Sequence, residues 1–277
     1  MHLQPSTAVV PPSTAVVTGA ASGIGCALSA RLATAGARVV MTDIAEDGLA
    51  GAVEELAARG ADVTAVVADL TDPAAVQELA DTAFGQLGDI DVVCNNAGVV
   101  GPVGMPLWSV PLDEMHGVFD VNYWAHIHVA RAFVPRLLDS GRPSHLVQTA
   151  SMSAFVVGAG TAAYAASKHA DLAAARSLRA DLDGTPVRVS VLCPGRVDTP
   201  MTRGLVAPRN ATGNTTISAD EAADAVWNAL GSDRFYIFTN ADARTRLGDQ
   251  FDDVWRHLAQ EQSWAESSSP SVDSSRP

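Results

Sequence analysis

Tyr164 and Lys168 stand four residues apart in Tyr-Ala-Ala-Ser-Lys, a spacing that puts both on one face of a helix. A phenol with a pKa of about 10 is a weak base at neutral pH. An ammonium beside it favours the phenolate and brings proton transfer within reach. Lysine suits this task better than arginine, because it is a compact point charge whose three donors also fit sugar hydroxyls. Lys168 is the only lysine among 18 Lys and Arg residues, and Tyr164 is one of three tyrosines, so the pairing is not a product of abundance. An ordinary surface pair is the bland alternative. Thirteen residues before Tyr164 comes Ser151, just past the apolar run His145–Gln148. A hydroxyl there can donate to a carbonyl oxygen as negative charge develops. Ser153 offers a second hydroxyl close by.

A second constellation lies near the amino terminus. Thr18-Gly19-Ala20-Ala21-Ser22-Gly23-Ile24-Gly25 follows the apolar run Thr14–Val17 and precedes a helical pattern. Glycines between a first strand and a first helix allow a tight turn whose N–H groups approach a pyrophosphate. A turn that serves packing alone is the bland alternative. Asp43, 18 residues after Gly25, ends the next apolar run. A carboxylate there holds both adenosine ribose hydroxyls and repels a 2′-phosphate. Ile44 follows it and Ser22 sits in the turn, so no cation offers itself to a 2′-phosphate, and NAD is expected over NADP. Asp43 could instead cap the following helix.

These residues need a scaffold, and the pattern supplies one. Short β-branched runs recur at Thr14–Val17, Ala37–Met41, Val63–Val67, Ile90–Cys94, His145–Gln148, Val187–Leu192 and Arg234–Phe238. Helical stretches alternate with them over 24–35, 46–59, 73–87, 111–139, 162–182 and 219–230, and an amphipathic stretch spans 242–261. Strand–helix alternation of this kind predicts an α/β fold, a doubly wound parallel sheet of about seven strands with helices on both faces. One domain is expected over 13–262. Residues 1–12 hold the first copy of a PSTAVV repeat and read as a loose extension. The Ser/Pro-rich 263–277 reads as a disordered tail.

Composition narrows the partners. The net charge of −13 argues against nucleic acid and anionic membranes. Cys26, Cys94 and Cys193 form no CxxC pair, and no apolar run is of spanning length, which fits a reduced, cytoplasmic protein. His126 and His128 are two apart on a helix and face different sides, so no metal is expected.

The chain resembles the compact branch of the short-chain dehydrogenase/reductase family. The residues that carry the likeness are the Thr18–Gly25 turn, Asn95-Asn96-Ala97-Gly98, Asn122, Ser151, the Tyr164/Lys168 pair and Pro194-Gly195-Arg196-Val197-Asp198-Thr199-Pro200, in family order from 14 to about 240. The resemblance implies a Rossmann-type fold with Tyr164 as acid/base, Ser151 as partner of the substrate oxygen, and Lys168 on the nicotinamide ribose. It implies that Asn122 anchors a water relay to Lys168. Gly19, Ser22, Gly23, Ile24 and Gly25 would cradle the cofactor phosphates, with Asp43 and Ile44 near its ribose. Asp69 and Leu70 would meet the adenine, with Asp69 as a helix cap the alternative. Asn95 would brace the central strands. Asn96, Ala97 and Gly98 would line the cofactor, and Pro194, Gly195, Val197 and Thr199 would hold the carboxamide. Asn122 could also be a plain interior contact.

The implied reaction interconverts a secondary alcohol and a ketone, with hydride passing to or from NAD at nicotinamide C4. The segments Val99–Pro111, Ser153–Thr161 and Thr202–Ser218 should select the substrate. Their apolar residues, Leu107, Trp108 and Phe155 among them, suggest a neutral hydrophobic small molecule: alicyclic, aromatic or steroid-like. The last segment reads as a lid. The resemblance also implies a homotetramer, with a dimer second. Two rival readings are an NADPH-dependent carbonyl or ketoacyl reductase and a non-catalytic cofactor-binding regulatory protein.

Overall fold

The computed structural model describes residues 11–203 and 216–268. Seven strands form one sheet: β1 (Thr14–Thr18), β2 (Arg38–Asp43), β3 (Val63–Val67), β4 (Val92–Asn95), β5 (Ser144–Thr149), β6 (Val187–Cys193) and β9 (Tyr236–Phe238). Their order is β3-β2-β1-β4-β5-β6-β9, and every pairing is parallel. A short parallel pair, β7 (Arg196–Asp198) and β8 (Thr216–Ser218), lies apart and was not anticipated.

The helices are α1 (Gly23–Thr34), α2 (Glu46–Ala57), α3 (Pro73–Leu87), α4 (Leu112–Phe119), α5 (Ala125–Ser140), α6 (Ala162–Asp181), α7 (Ala219–Trp227) and α8 (Ala243–Ser268). Alternation along the strands sends neighbours to opposite faces. Val16, Val93, Leu146 and Val191 join Leu79 of α3, Phe133 of α5 and Leu172 of α6 on one side. Ala15, Val17, Val147 and Leu192 join Leu28 of α1, Leu49 of α2 and Val226 of α7 on the other. Burial on both faces explains why the central strands β1, β4 and β6 read as apolar runs, whereas the edge strand β3 is partly exposed.

The order of strands reverses between β1 and β4, so the loops leaving these two strands diverge and leave a crevice at their carboxyl ends. The glycine turn follows β1 and Asn96-Ala97-Gly98 follows β4. Thr18 binds the two loops together: its Oγ1 accepts from the N–H groups of Asn96 at 2.8 Å and Ala97 at 3.1 Å, and its carbonyl accepts from Asn96 Nδ2 at 3.0 Å.

The structure corrects two expectations. The single helix expected over 111–139 is broken into α4, a π-helical turn at Asp120–Trp124, and α5. That wider turn carries Asn122 inward, where its amide satisfies both backbone groups of Val99. Helix α8 continues to Ser268, past the boundary at 262, because Ala259–Gln262 and Ala265-Glu266 are good helix formers. Of the expected lid, β8 is ordered and Ser218 caps α7 in a reciprocal box with Glu221; residues 204–215 lie outside the described residues. So do residues 1–10, which hold the first copy of the repeat, and the tail from 269. Among the described residues no helix is long and apolar enough to cross a membrane.

Candidate active site

At the switch point between β1 and β4 lies a cleft of about 260 Å³. Gly19, Ser22, Gly23 and Ile24 line one end of it, with Asp43 beside them. Asn96 and Gly98 line its floor. Tyr164 and Lys168 enter from α6, and Pro194 and Thr199 from the loop after β6. Val99, Thr149, Ala150 and Met201 complete the wall. A larger hollow of about 470 Å³ lies at the opposite, amino edge of the sheet, lined by Asp91, Arg142, His145 and Arg188 among others. It holds none of the expected site residues, and doubly wound sheets take ligands at the carboxyl edge.

The glycine turn has the shape that a phosphate needs. Gly19 and Gly23 adopt φ of 65° and 57°, which side chains resist. A Cβ on Gly25 would stand 2.1 Å from the Gly19 carbonyl oxygen, so α1 starts close under the turn only because that position is bare. The start of α1 faces the cleft with unpaired N–H groups and the positive end of its dipole. Among the described residues, this end suits a pyrophosphate.

Asp43 ties the turn to the next helix. Its carboxylate accepts from Ala21 N–H and Ala45 N–H, each at 3.0 Å. Ala45, not Asp43, is the N-cap of α2, so the capping alternative fails, while the Asp43 carboxylate steadies the approach to that helix and keeps lone pairs for a ligand. Ile44 beside it is 66% exposed, so no cation follows the carboxylate.

Lys168 is 3% exposed. Its Nζ donates to the Thr149 carbonyl at 2.8 Å and stands 3.8 Å from Asp171 Oδ2. Gly98 faces both Lys168 and Asn122: a Cβ there would meet Lys168 Nζ at 3.6 Å and Asn122 Oδ1 at 3.2 Å. Asn122 Nδ2 donates to the Ser167 hydroxyl, which donates in turn to the Tyr164 carbonyl at 2.8 Å. The π-helical turn and α6 are therefore built as one unit around the Tyr/Lys pair.

Other expected residues stand elsewhere. Ser151 is buried, and its Oγ accepts from Ser153 N–H at 3.0 Å while reaching the Pro194 carbonyl at 3.5 Å. It borders the cleft behind Thr149 and Ala150 and does not line it. Asp69 is exposed and accepts from the Thr71 N–H and hydroxyl; the cap of α3 is Asp72, not Asp69. Leu70 and Val197 are core side chains. Gly195 gives its N–H to Asn240 Oδ1 at 2.8 Å. Ala97 packs against Gly19, and its carbonyl meets His126 Nε2. Asn95 braces β4 by donating to the His126 carbonyl at 3.0 Å.

Sequence reasoning missed Met201, Gln148 and Asp171. Met201 follows the Pro194–Pro200 motif directly. Asp171 offered a subtler sign, an acidic residue on the apolar face of α6. His126 and His128 do face different ways: one meets Asp171, the other the Leu70 carbonyl.

Comparison with known proteins agrees with this geometry. The sequence profile described as short chain dehydrogenase matches residues 13–210. The chain belongs to the short-chain dehydrogenase family. As such it is an oxidoreductase with a nicotinamide-cofactor site. It is 92% identical over 277 residues, all of both chains, to the Streptomyces avermitilis protein named 1-deoxy-11-beta-hydroxypentalenate dehydrogenase. A protein of the same name from Streptomyces exfoliatus is 72% identical over 259 residues, covering 94% of this chain and 92% of its own. Among solved structures, a short-chain dehydrogenase/reductase from Burkholderia phymatum in complex with NAD superposes with a TM-score of 0.81 at 30% identity, over 88% of this dehydrogenase and 95% of that chain.

Proposed function

We propose that this dehydrogenase oxidises a secondary alcohol to a ketone on a hydroxylated terpenoid acid, with NAD as its cofactor. The observation that carries the reaction is the Tyr164/Lys168 pair at the cleft, locked to Asn122 through Ser167. The substrate class rests on the 92% relative, whose name carries an 11-beta hydroxyl and the ending of a carboxylate. On this reading the substrate is a hydroxylated terpenoid charged at one end, where composition alone suggested a neutral hydrophobic molecule. Exposed Val99, Leu107 and Val157 supply apolar surface from the segments expected to select it.

The nicotinamide, when bound, supplies the acceptor for the substrate's hydride. Everything else falls to the chain. Gly19–Gly25 and the start of α1 bind the phosphates. Asp43 binds the adenosine ribose. Lys168 holds the second ribose and, as an ammonium, favours the phenolate of Tyr164. Tyr164 takes the alcohol proton. Ser151 steadies the substrate oxygen after its hydroxyl turns from Pro194, which it holds only at 3.5 Å. Asn122 keeps Val99 and α6 in register and anchors a water through which the proton passes from Lys168 towards solvent. NAD is preferred because Asp43 would face a 2′-phosphate with its charge, while Ile44 offers no compensating cation. The same reading includes a cytoplasmic homotetramer packed through α4–α5 and α6, where Leu112 and Trp124 are exposed.

Titration with NADH and NADPH, followed by tryptophan quenching, tests the cofactor. Tighter NADH binding is expected; tighter NADPH binding overturns the role of Asp43. Tyr164→Phe should bind NADH normally and lose turnover of the hydroxylated acid. Substantial turnover in that variant would remove Tyr164 from the chemistry.

A further inference from the structure

Asp171 is a wholly buried carboxylate one turn beyond Lys168 on α6. Its Oδ1 accepts from Gln148 Nε2 at 2.6 Å and meets His126 Nδ1 at 2.9 Å. Its Oδ2 has no hydrogen-bond partner and stands 3.8 Å from Lys168 Nζ. His126 is equally buried, and its Nε2 meets the Ala97 carbonyl at 2.8 Å. A carbonyl only accepts, so Nε2 carries a proton. Nδ1 faces the Asp171 carboxylate, and the ring lowers the pKa of that carboxyl by charge and hydrogen bond. One buried carboxylate therefore faces both a buried imidazole ring and the buried Lys168.

The arrangement has a consequence for Lys168. An ammonium taken out of water and given one carbonyl is costly, and neutralisation relieves that cost. A carboxylate at short range opposes the loss of the proton. We propose that Asp171 is a positioning residue: its unshared oxygen keeps Lys168 protonated and aimed at the cleft, and His126 sets how much of that negative charge Lys168 receives. This rests on the dehydrogenase reading of the cleft.

The surrounding groups are consistent with such a role. Burial pushes the Asp171 carboxyl up, but the charge and hydrogen bond of His126, the charge of Lys168 and the bond from Gln148 outweigh it and hold it below the usual carboxylate range. The charged and titratable neighbours are His126 from α5, Tyr164 and Arg176 on α6, and Cys193 at the end of β6. Burial, helped by Asp171, pushes the Cys193 thiol up to about 12, so it stays neutral. Strands β4 and β5 contribute only the neutral amides of Asn95 and Gln148. Arg176 turns outward to the Tyr236 hydroxyl at 2.9 Å.

The single lysine makes the test direct. Protein labelled with 13C at the lysine ε-carbon gives one side-chain signal, and its shift against pH reports the Lys168 proton without cofactor or substrate. In Asp171→Asn the midpoint should fall by about one unit or more. In His126→Gln, which keeps two donors but removes the ring's charge, the midpoint should rise. In turnover assays, the high-pH decline of kcat should move the same way in each variant, with KM nearly constant. A merely structural role would lower the melting temperature and leave the midpoints in place. Midpoints within about 0.3 units of the parent in the folded variants overturn the proposal, whatever the melting temperature. If Asp171→Asn does not fold, His126→Gln decides alone, and an unchanged or lower midpoint overturns it. Failure of the dehydrogenase reading looks different: the parent protein would then bind neither NADH nor NADPH.

Discussion

Asn122 and Ser167 meet side chain to side chain at 3.0 Å, which joins the π-helical turn to α6 one residue before Lys168. The other contacts of the same amide clasp the Val99 N–H at 2.8 Å and the Val99 carbonyl at 2.9 Å. One side chain thus sets the distance between the loop after β4 and the helix that carries Tyr164. Asn122→Ala would leave both Val99 backbone groups without their partner at a part-buried site. Stability should drop by about 2 kcal/mol or more, read from denaturant unfolding, and turnover should drop further than the loss of folded protein explains. Unchanged unfolding would mean that Val99 finds other partners.

Gly25→Ala tests the close seating of α1. The added methyl would press on the Gly19 carbonyl from 2.1 Å, and backbone cannot yield as a side-chain tip does. NADH binding should weaken at least about tenfold, with a stability loss of about 1–3 kcal/mol for overpacking. Calorimetric titration and a thermal melt check both. Normal NADH affinity in the variant would mean that the turn does not seat the phosphates.

Asp43 can be examined by charge. Asp43→Asn keeps the shape and removes the anion, so NADH should bind about tenfold more weakly, in line with ~1.5–3 kcal/mol for a charge-assisted hydrogen bond. The double variant Asp43→Asn with Ile44→Arg adds a cation at an exposed position, and NADPH should then bind more tightly than NADH. Retained NADH preference in the double variant would remove Asp43 from cofactor selection.

His145 gives the fold a defined acid sensitivity. Burial first, and then the charge of Arg188, lower its pKa from 6.5 to about 4. Its Nε2 pairs with the Ser190 hydroxyl at 2.8 Å, while Nδ1 is buried without a partner. The unfolded chain binds this proton between those two values and the folded chain does not. Stability therefore falls as pH drops from about 6.5 to about 4, by roughly 3 kcal/mol at most from this group. Melting curves at pH 7 and pH 5 should differ more for the parent than for His145→Gln. Equal pH responses would show that His145 titrates normally in the fold.

Much of the architecture was legible because its signals are local. Most of the main strands are short apolar runs, the composition that a buried parallel sheet demands; β5, Ser144–Thr149, is buried yet rich in polar residues. The glycine turn was legible because only glycine readily takes φ near 60°, as at Gly19 and Gly23, and only a bare position fits 2.1 Å from a carbonyl, as at Gly25. The Tyr164/Lys168 pair was legible because four residues make a helical turn and the chain has one lysine. The interruption at Asn122 was not legible, since α4, the π-helical turn and α5 share one unbroken helical pattern. The pairing that explains the interruption is with Val99, 23 residues away. The cap alternative for Asp69 failed for a related reason: Asp69 and Asp72 both suit a turn or cap, and only the path of the chain gives α3 to Asp72.

The sequence by itself determined the parallel sheet, the phosphate-shaped turn and the Tyr/Lys pair, because each depends on periodicity or spacing within a few residues. Only the tertiary structure decided that Asp171 lies against His126, Gln148 and Lys168. These residues come from α5, β5 and α6, and His126 and Asp171 are 45 positions apart. Charge in a protein interior is governed by what surrounds it in space, and a string of residues carries no record of which buried carboxylate will find which cation.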